Sequence, residues 1–459
     1  MRNKTTICRS VLTLFMLTLL LALTTLNRCS CSEDEKGNPG GPTSTETIIA
    51  GRILNQADSS GIADANIVIY NANTNAPITR TTSAADGTFL LHVDVGGTYY
   101  FKVAAQGYLP SPPKYGMPLP FQVVQNDTTR KVVFLSRDSE AVLVGSLYGT
   151  ISLAGSQGPV SGALVVALLP ADSSTMTSVS GPDGYYVIFN MAPGTYSLHC
   201  YLAGYRQVTG VDSAVTISVN IATGPIDIAM SDTVLGKLTG RVTFLASQNS
   251  RVDITLVHPI AREAVPGLYT FNDTTGNTYQ LTEIPPGTYI VWASYRNDGY
   301  VMDPDWIYKS GLPYVTFSPG DTGKQQDFSV TDAIEIVSPT NPPDSVSPVL
   351  VTTGNPMFVW HAYPSTHEYI VEVFNSDGER IWGGFNVDGT INHPQISSHQ
   401  DSVVFNFDGS ASDTLRPGET YRWKVYADDD ASANVQTLIS SSEDLLGLFK
   451  RVTGITGKR

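Results

Sequence analysis

The side chains able to do chemistry are few and scattered. Seven His stand at 92, 199, 258, 361, 367, 393 and 399, and none has the His-Glu-x-x-His spacing that sets two imidazoles around zinc on one helix face. His361, His367, His393 and His399 would meet on a metal only if folding gathered their loops. Asp428, Asp429 and Asp430 offer the hard oxygens calcium takes, but without EF-hand spacing. No nucleophile elbow, phosphate-cradling loop or dinucleotide fingerprint occurs. Cys200 lies in Tyr196-Ser-Leu-His-Cys200-Tyr-Leu, where alternation makes it a strand residue; with no cation or His partner placed to hold a thiolate, it reads as packing. The remaining concentration is aromatic. Trp292, Tyr295, Tyr300, Trp306, Tyr308, Tyr314 and Phe317 fall within 26 residues. Trp306, Tyr308 and Tyr314 sit in an irregular stretch with Asp303, Asp305, Lys309 and two prolines. Rings accept the C–H face of a sugar while carboxylates take its hydroxyls, so these five aromatic and acidic residues form the candidate ligand site. The alternative is a plug folded over its own domain or against the next. The sequence nominates no catalytic residue, no metal site and no cofactor.

The elements that must position these residues are extended. The chain has 459 residues with 40 Gly and 28 Pro, 41% of it is apolar, and only 15% is charged. That length implies three or four domains, and the composition excludes collagen-like and disordered classes. Lys and Arg number 28 against 42 Asp and Glu, a net charge of −14, so a nucleic-acid partner is not expected.

The first thirty residues read as an address. Arg2, Lys4 and Arg9 flank or precede the apolar run 11–26, which at sixteen residues is short for a bilayer span of about 20. Cys29 and Cys31 follow, then Ser32-Glu33-Asp34-Glu35-Lys36. The arrangement resembles a bacterial lipoprotein signal, and the acidic run resembles the export signal of surface lipoproteins in Bacteroidota. The resemblance implies a lipidated cysteine as the new N-terminus. Cys29 has Leu26 three residues before it but Arg28 adjacent; Cys31 has Ser30 adjacent and is favoured. Residues 31–46 then form a polar tether. Loss of the leader would take the net charge to −18, because it carries Arg2, Lys4, Arg9 and Arg28 and no acid.

A phrase recurs three times. Asp86-Gly87-Thr88-Phe89, Gly97-Thr98-Tyr99 and Gly107-Tyr108 return as Asp183-Gly184-Tyr185-Tyr186, Gly194-Thr195-Tyr196 and Gly204-Tyr205. They return again, more loosely, around Gly276, Gly287-Thr288-Tyr289 and Gly299-Tyr300, with Thr275-Gly276 in place of Asp-Gly. Upstream, Gly51 precedes Ala65 as Gly149 precedes Ala163. Between these marks lie short β-branched and aromatic runs such as Ile67-Val-Ile-Tyr70, bounded by turn residues. The reading is all-β: a tandem array of antiparallel Ig-like or prealbumin-like sandwiches.

These motifs resemble the carboxypeptidase regulatory-like domain, a prealbumin-like and carbohydrate-binding-like sandwich. The resemblance covers 47–137 and 143–232, and a divergent copy at 234–332. It implies a non-catalytic module. From 335 to 450 the pattern changes to Trp360, Glu368-Tyr-Ile-Val-Glu-Val-Phe374 and Leu415-x-Pro-Gly-x-x-Tyr421, which resembles a fibronectin type III-like domain with a tyrosine corner. The expectation is a non-catalytic outer-membrane or cell-surface lipoprotein serving as a structural or adhesive scaffold, with a carbohydrate-binding surface protein as the alternative. Its partners would be a membrane, through the N-terminal lipid, and a polysaccharide or another surface protein.

Overall fold

The structure is a computed structural model that describes residues 46–453, except 114–115, 139–143, 172, 210–213, 233–235, 246–249, 294–296, 387–389, 393–394, 431–436 and the side chain of Trp306. The leader, both candidate lipidation cysteines, the tether up to residue 45 and His393 lie outside the described residues.

The strands form four sandwiches in chain order. In the first, Thr47–Asn55 pairs antiparallel with Thr88–Val93 and parallel with Thr128–Leu135. The facing sheet runs Ala76–Thr82, Asn66–Asn71, Gly97–Ala104, Phe121–Val123. The second and third repeat this order. Gly145–Leu153 lies between Tyr185–Met191 and Ile228–Asp232, and Gly236–Phe244 between Thr278–Ile284 and Phe328–Asp332. In both, the last-named strand is again the parallel partner. Their facing sheets run Ser174–Val179, Leu164–Leu169, Gly194–Tyr201, Ala214–Ile217 and Ala264–Phe271, Asp253–Val257, Gly287–Ala293, Tyr314–Phe317. The fourth sandwich differs. It packs a sheet of Ile336–Ser338, Met357–Trp360 and Ser402–Val404 against a larger one centred on Glu368–Phe374 and Thr420–Asp428. Phe358 stacks on Trp423 in its core, and the Trp423 indole donates to Pro339 O at 2.7 Å.

The recurring phrase has a structural cause in each part. Gly51, Gly149 and Gly240 stand opposite Phe89, Tyr186 and Tyr279 across the antiparallel pair. A Cβ on these glycines would fall 2.0 Å from Lys131 O, 1.9 Å from Ile226 O and 1.9 Å from Gln326 O. Only a bare backbone lets the aromatic lie across the strand. The Tyr of each Gly-Thr-Tyr turns its hydroxyl back to the carbonyl four residues earlier: Tyr99 to Val95, Tyr196 to Ala192 and Tyr289 to Pro285, at 2.8, 2.9 and 2.8 Å.

The third copy corrects one reading of the sequence. Gly276 does not take the place of Gly87 and Gly184; Asn277 does. Gly87 and Gly184 have φ of 82° and 77°, Asn277 has φ of 53°, and the three carbonyls accept from Ile53, Ile151 and Val242 respectively. Asn tolerates the left-handed region because its side chain is short and polar. The Asp moves with it: Asp86 and Asp183 accept from the amide two residues on, whereas Asp273 reaches Thr278 N from five residues before. A further recurring clip escaped the sequence comparison. Ser83, Ser180 and Asn272 each accept from the backbone N–H just before the neighbouring, earlier strand, at Ala65, Ala163 and Val252.

The sandwiches are packed side against side, and the described residues from 46 to 453 belong to one compact unit. The strands Asn66–Asn71, Leu164–Leu169 and Asp253–Val257 are covered on both faces. Alternate residues of the first, Ile67 and Ile69, face their own core, while Val68 and Tyr70 join a second cluster with Leu164, Val166, Ile254 and Leu256.

Candidate functional site

The residues expected around Trp306 are held by a short helix, not a loop. Pro304–Ser310 is helical, with Pro in its first turn and Asp303 as its N-cap, accepting from Asp305 N at 3.1 Å. The cap turns Asp303 inward, so it is buried and not presented to solvent. Asp305 pairs with Lys309 one turn on, at 2.6 Å. Ile307 packs on the shared core, and the helix lies against Leu438–Ser441 of the fourth sandwich. Tyr308 remains 58% exposed and Tyr314, on the edge strand Tyr314–Phe317, 49%. Both tyrosines are exposed and the Asp305–Lys309 pair lies on the helix that carries Tyr308, while Asp303 is buried.

Cys200 and Asp428 are absorbed by packing. Burial raises the Cys200 thiol, which lies 3.5 Å from the Met230 sulfur, so it stays protonated. Asp428 is buried, accepts from Asp430 N at 3.0 Å, and is raised by burial first and by Asp429 and Asp430 second. Among the described residues no group of three His, Cys, Asp or Glu could hold a metal ion. His361 pairs with Glu335 at the surface.

Two other features went unrecognised in the sequence. One is a buried junction on Glu263. Its carboxylate, in the third sandwich, accepts from Tyr70 Oη at 2.8 Å and Lys102 Nζ at 2.9 Å in the first, and from Thr177 Oγ1 at 2.6 Å in the second. Burial alone would raise this carboxyl. Lys102 and the hydrogen bonds outweigh it and hold the group below the usual range. Nearby His258 is driven down to about 4, by burial first and the neighbouring His199 second, while its Nδ1 accepts from Ala261 N at 3.0 Å. A lone acid just after a short turn carries no sequence signal that it will be buried by other domains.

The second feature is a cavity of about 410 Å3 beside the junction, lined by all four sandwiches. Three equivalent turns meet there, those leading into Ala76–Thr82, Ser174–Val179 and Ala264–Phe271. Each carries a left-handed residue on the cavity wall: Asn75, Ser173 and Arg262, at φ of 54°, 57° and 58°. The fourth sandwich contributes Arg422, Asp444 and Leu445.

Against known proteins, residues 146–257 match the family model of the carboxypeptidase regulatory-like domain. The chain contains such a domain. The match opens on the first strand of the second sandwich and runs through Asp253–Val257 of the third. No curated protein matches the chain. Solved structures with similarity include the Bacillus anthracis TIE protein, 15% identical with a TM-score of 0.17, covering 63% of this chain and 51% of its own. The minor pilin of Streptococcus agalactiae is 10% identical with a TM-score of 0.20, covering 43% and 99%. A leucine-rich repeat protein from Bacteroides thetaiotaomicron is 14% identical with a TM-score of 0.19, covering 41% and 27%. This chain thus spans about half the length of the TIE protein, and at these scores the likenesses do not extend to the arrangement of the whole molecule.

Proposed function

We propose that this chain is a non-catalytic, lipid-anchored surface protein whose sandwiches act as a structural or adhesive scaffold. The regulatory-like domain is the common unit, and the fourth sandwich, with Trp360 in its core and Tyr421 Oη accepting from Arg416 N at 2.7 Å, serves as a fibronectin type III-like terminal unit. One observation carries the scaffold reading: buried and half-buried polar groups bind one sandwich to another. Glu263 joins the first three, Asn190 donates to Ala105 O and Tyr108 O of the first from the second, and Glu443 accepts from Asp298 N of the third. Such cross-domain bonds resist relative motion, which suits a rigid spacer more than a gated catalyst.

Anchoring rests on the leader and on Cys31. Cys31→Ser should move the protein out of the membrane fraction of its host; release by Cys29→Ser alone would place the lipid on that residue, and retention of both variants would refute a lipid anchor. A second reading, carbohydrate binding, is favoured by the exposed Tyr308, on the same short helix as Asp305, and by the exposed Tyr314. Its test is a glycan array of the purified chain, with loss of any bound glycan in Tyr308→Ala and Trp306→Ala at unchanged melting temperature.

A further inference from the structure

The cavity where the four sandwiches meet is lined by a buried cation with at least three of its five N–H donors unused. Arg422 lies on Thr420–Asp428 and is 3% exposed. Its Nη1 donates to Asp444 O at 2.8 Å, but Nε and Nη2 have no hydrogen-bond partner. Those two nitrogens form one edge of the guanidinium, and their N–H bonds point the same way with the spacing of the two oxygens of a carboxylate. Burial lowers the group to about 10, which leaves it charged at neutral pH. A buried cation whose donors are unsatisfied is costly, and such an edge persists in folded proteins when something fills it.

The surroundings favour an anion. Arg262 and Lys102 also line the cavity; Lys102 is held by Glu263. Asp444 is the acid on the wall, and it is already neutralised by Lys424 at 2.6 Å. Glu372, the other acid near Arg422, accepts from Tyr426; burial raises it, while that hydrogen bond and the cations Lys424, Arg380 and Arg422 act the other way. The Tyr100 ring, Met117, Pro118, Ala261 and Leu445 give the wall an apolar side, and Asn75, Ser173, Ser174 and Thr175 add neutral polar groups. A ring-sized body could lie against that surface while its acid reaches Arg422. The volume, about 410 Å3, is at the small end of ligand pockets, which run from about 300 to 1,000 Å3.

We infer that this junction cavity is a binding site for a small organic carboxylate of about the size of one sugar acid, held by the Nε–Nη2 edge of Arg422. The site exists only when the turns of all three copies and the fourth sandwich are assembled, so occupancy would tie the four together. It is separate from the Tyr308 surface and does not depend on the scaffold or glycan readings.

The experiment is calorimetric titration of the purified full chain with glucuronate, with glucose and sulfate as controls, alongside Arg422→Met and Ala261→Leu. Methionine keeps the bulk of the arginine stem and removes the fork; leucine narrows the cavity from a wall residue of the third sandwich. Glucuronate is expected to bind and glucose not to, with affinity reduced at least tenfold in both variants. Should Arg422→Met fail to fold, Ala261→Leu alone decides. Failure of glucuronate to bind, equal binding of glucose, or unchanged affinity in the folded variants would overturn the inference. Binding of sulfate as tight as glucuronate would overturn the sugar-acid assignment and leave an inorganic-anion site.

Discussion

Replacing Glu263 by Ala tests whether the three copies are held as the junction implies. The change removes the acceptor of three side chains from two other sandwiches. Breaking one partner out of a buried ion pair costs about 3–5 kcal/mol, and stranding a buried hydroxyl such as that of Tyr70 costs about 1–3 kcal/mol more. Lys102 is one-third exposed and can regain water, so the lower end applies. A net loss of about 3 kcal/mol is expected, and Glu263→Ala with Lys102→Met should recover part of it, because the double variant leaves no unpaired charge. Urea denaturation followed by tryptophan fluorescence would measure it, with limited proteolysis reporting whether the first three sandwiches still resist as one block. A change below about 0.5 kcal/mol, the level of an ordinary surface substitution, with the same proteolytic pattern would refute the junction.

Three further outcomes follow from the geometry. Gly149→Ala should destabilise the second sandwich by several kcal/mol, on the order of the largest single-site effects, because its Cβ would fall 1.9 Å from Ile226 O; Gly155→Ala, in open space at φ of 94°, should cost less, and thermal melts that rank them the other way would contradict the cross-strand account. Cys200 should react with a thiol reagent only as fast as the chain unfolds, and prompt labelling under native conditions would show that its burial is wrong. Acidification should weaken the third sandwich. His258 is neutral in the fold and titrates at about 4 instead of its usual 6.5, so its contribution is complete above 6.5 and is lost as pH falls toward 4, at up to 1.36 kcal/mol per pH unit. Glu263, also held low, adds to the loss below about 4.5. An imidazole resonance of His258 titrating near 6.5 would remove this explanation.

The sequence made the sandwiches readable because their marks are local. A glycine under an aromatic and a Tyr bound to the carbonyl four residues back each need a fixed spacing, and those spacings survive in a single chain. The third copy was harder because Asn277 and Asp273 solve the same turn with different residues at different offsets. What could not be read was how the copies meet. A signal for it does exist in Ile67-Val-Ile-Tyr70, Leu164-Val-Val-Ala-Leu-Leu169 and Ile254-Thr-Leu-Val257. These runs lack the polar alternation of a strand with one wet face, and continuous apolar runs mark strands covered on both sides. Nothing in them says which neighbour does the covering, so Glu263 and Arg422 remained ordinary charged residues until the fold placed them. The aromatic stretch misled in a smaller way: Asp303 followed by Pro304 is a helix start, and that helix turns the acid inward.

The parallel pairing of the first and last strands in the first sandwich bears on mechanical load. Thr47–Asn55 and Thr128–Leu135 run alongside each other for eight residue pairs. A pull on the start of one and the end of the other drags them lengthwise past each other, so the bonds between them are strained at once and must fail together. Antiparallel terminal strands would instead peel open one bond at a time. In the second and third sandwiches the corresponding pairing is three residue pairs with a separate two-residue bridge, and such short contacts hold less. If the chain is tethered through its leader as proposed, tension from the anchor enters at the sandwich whose grip is longest.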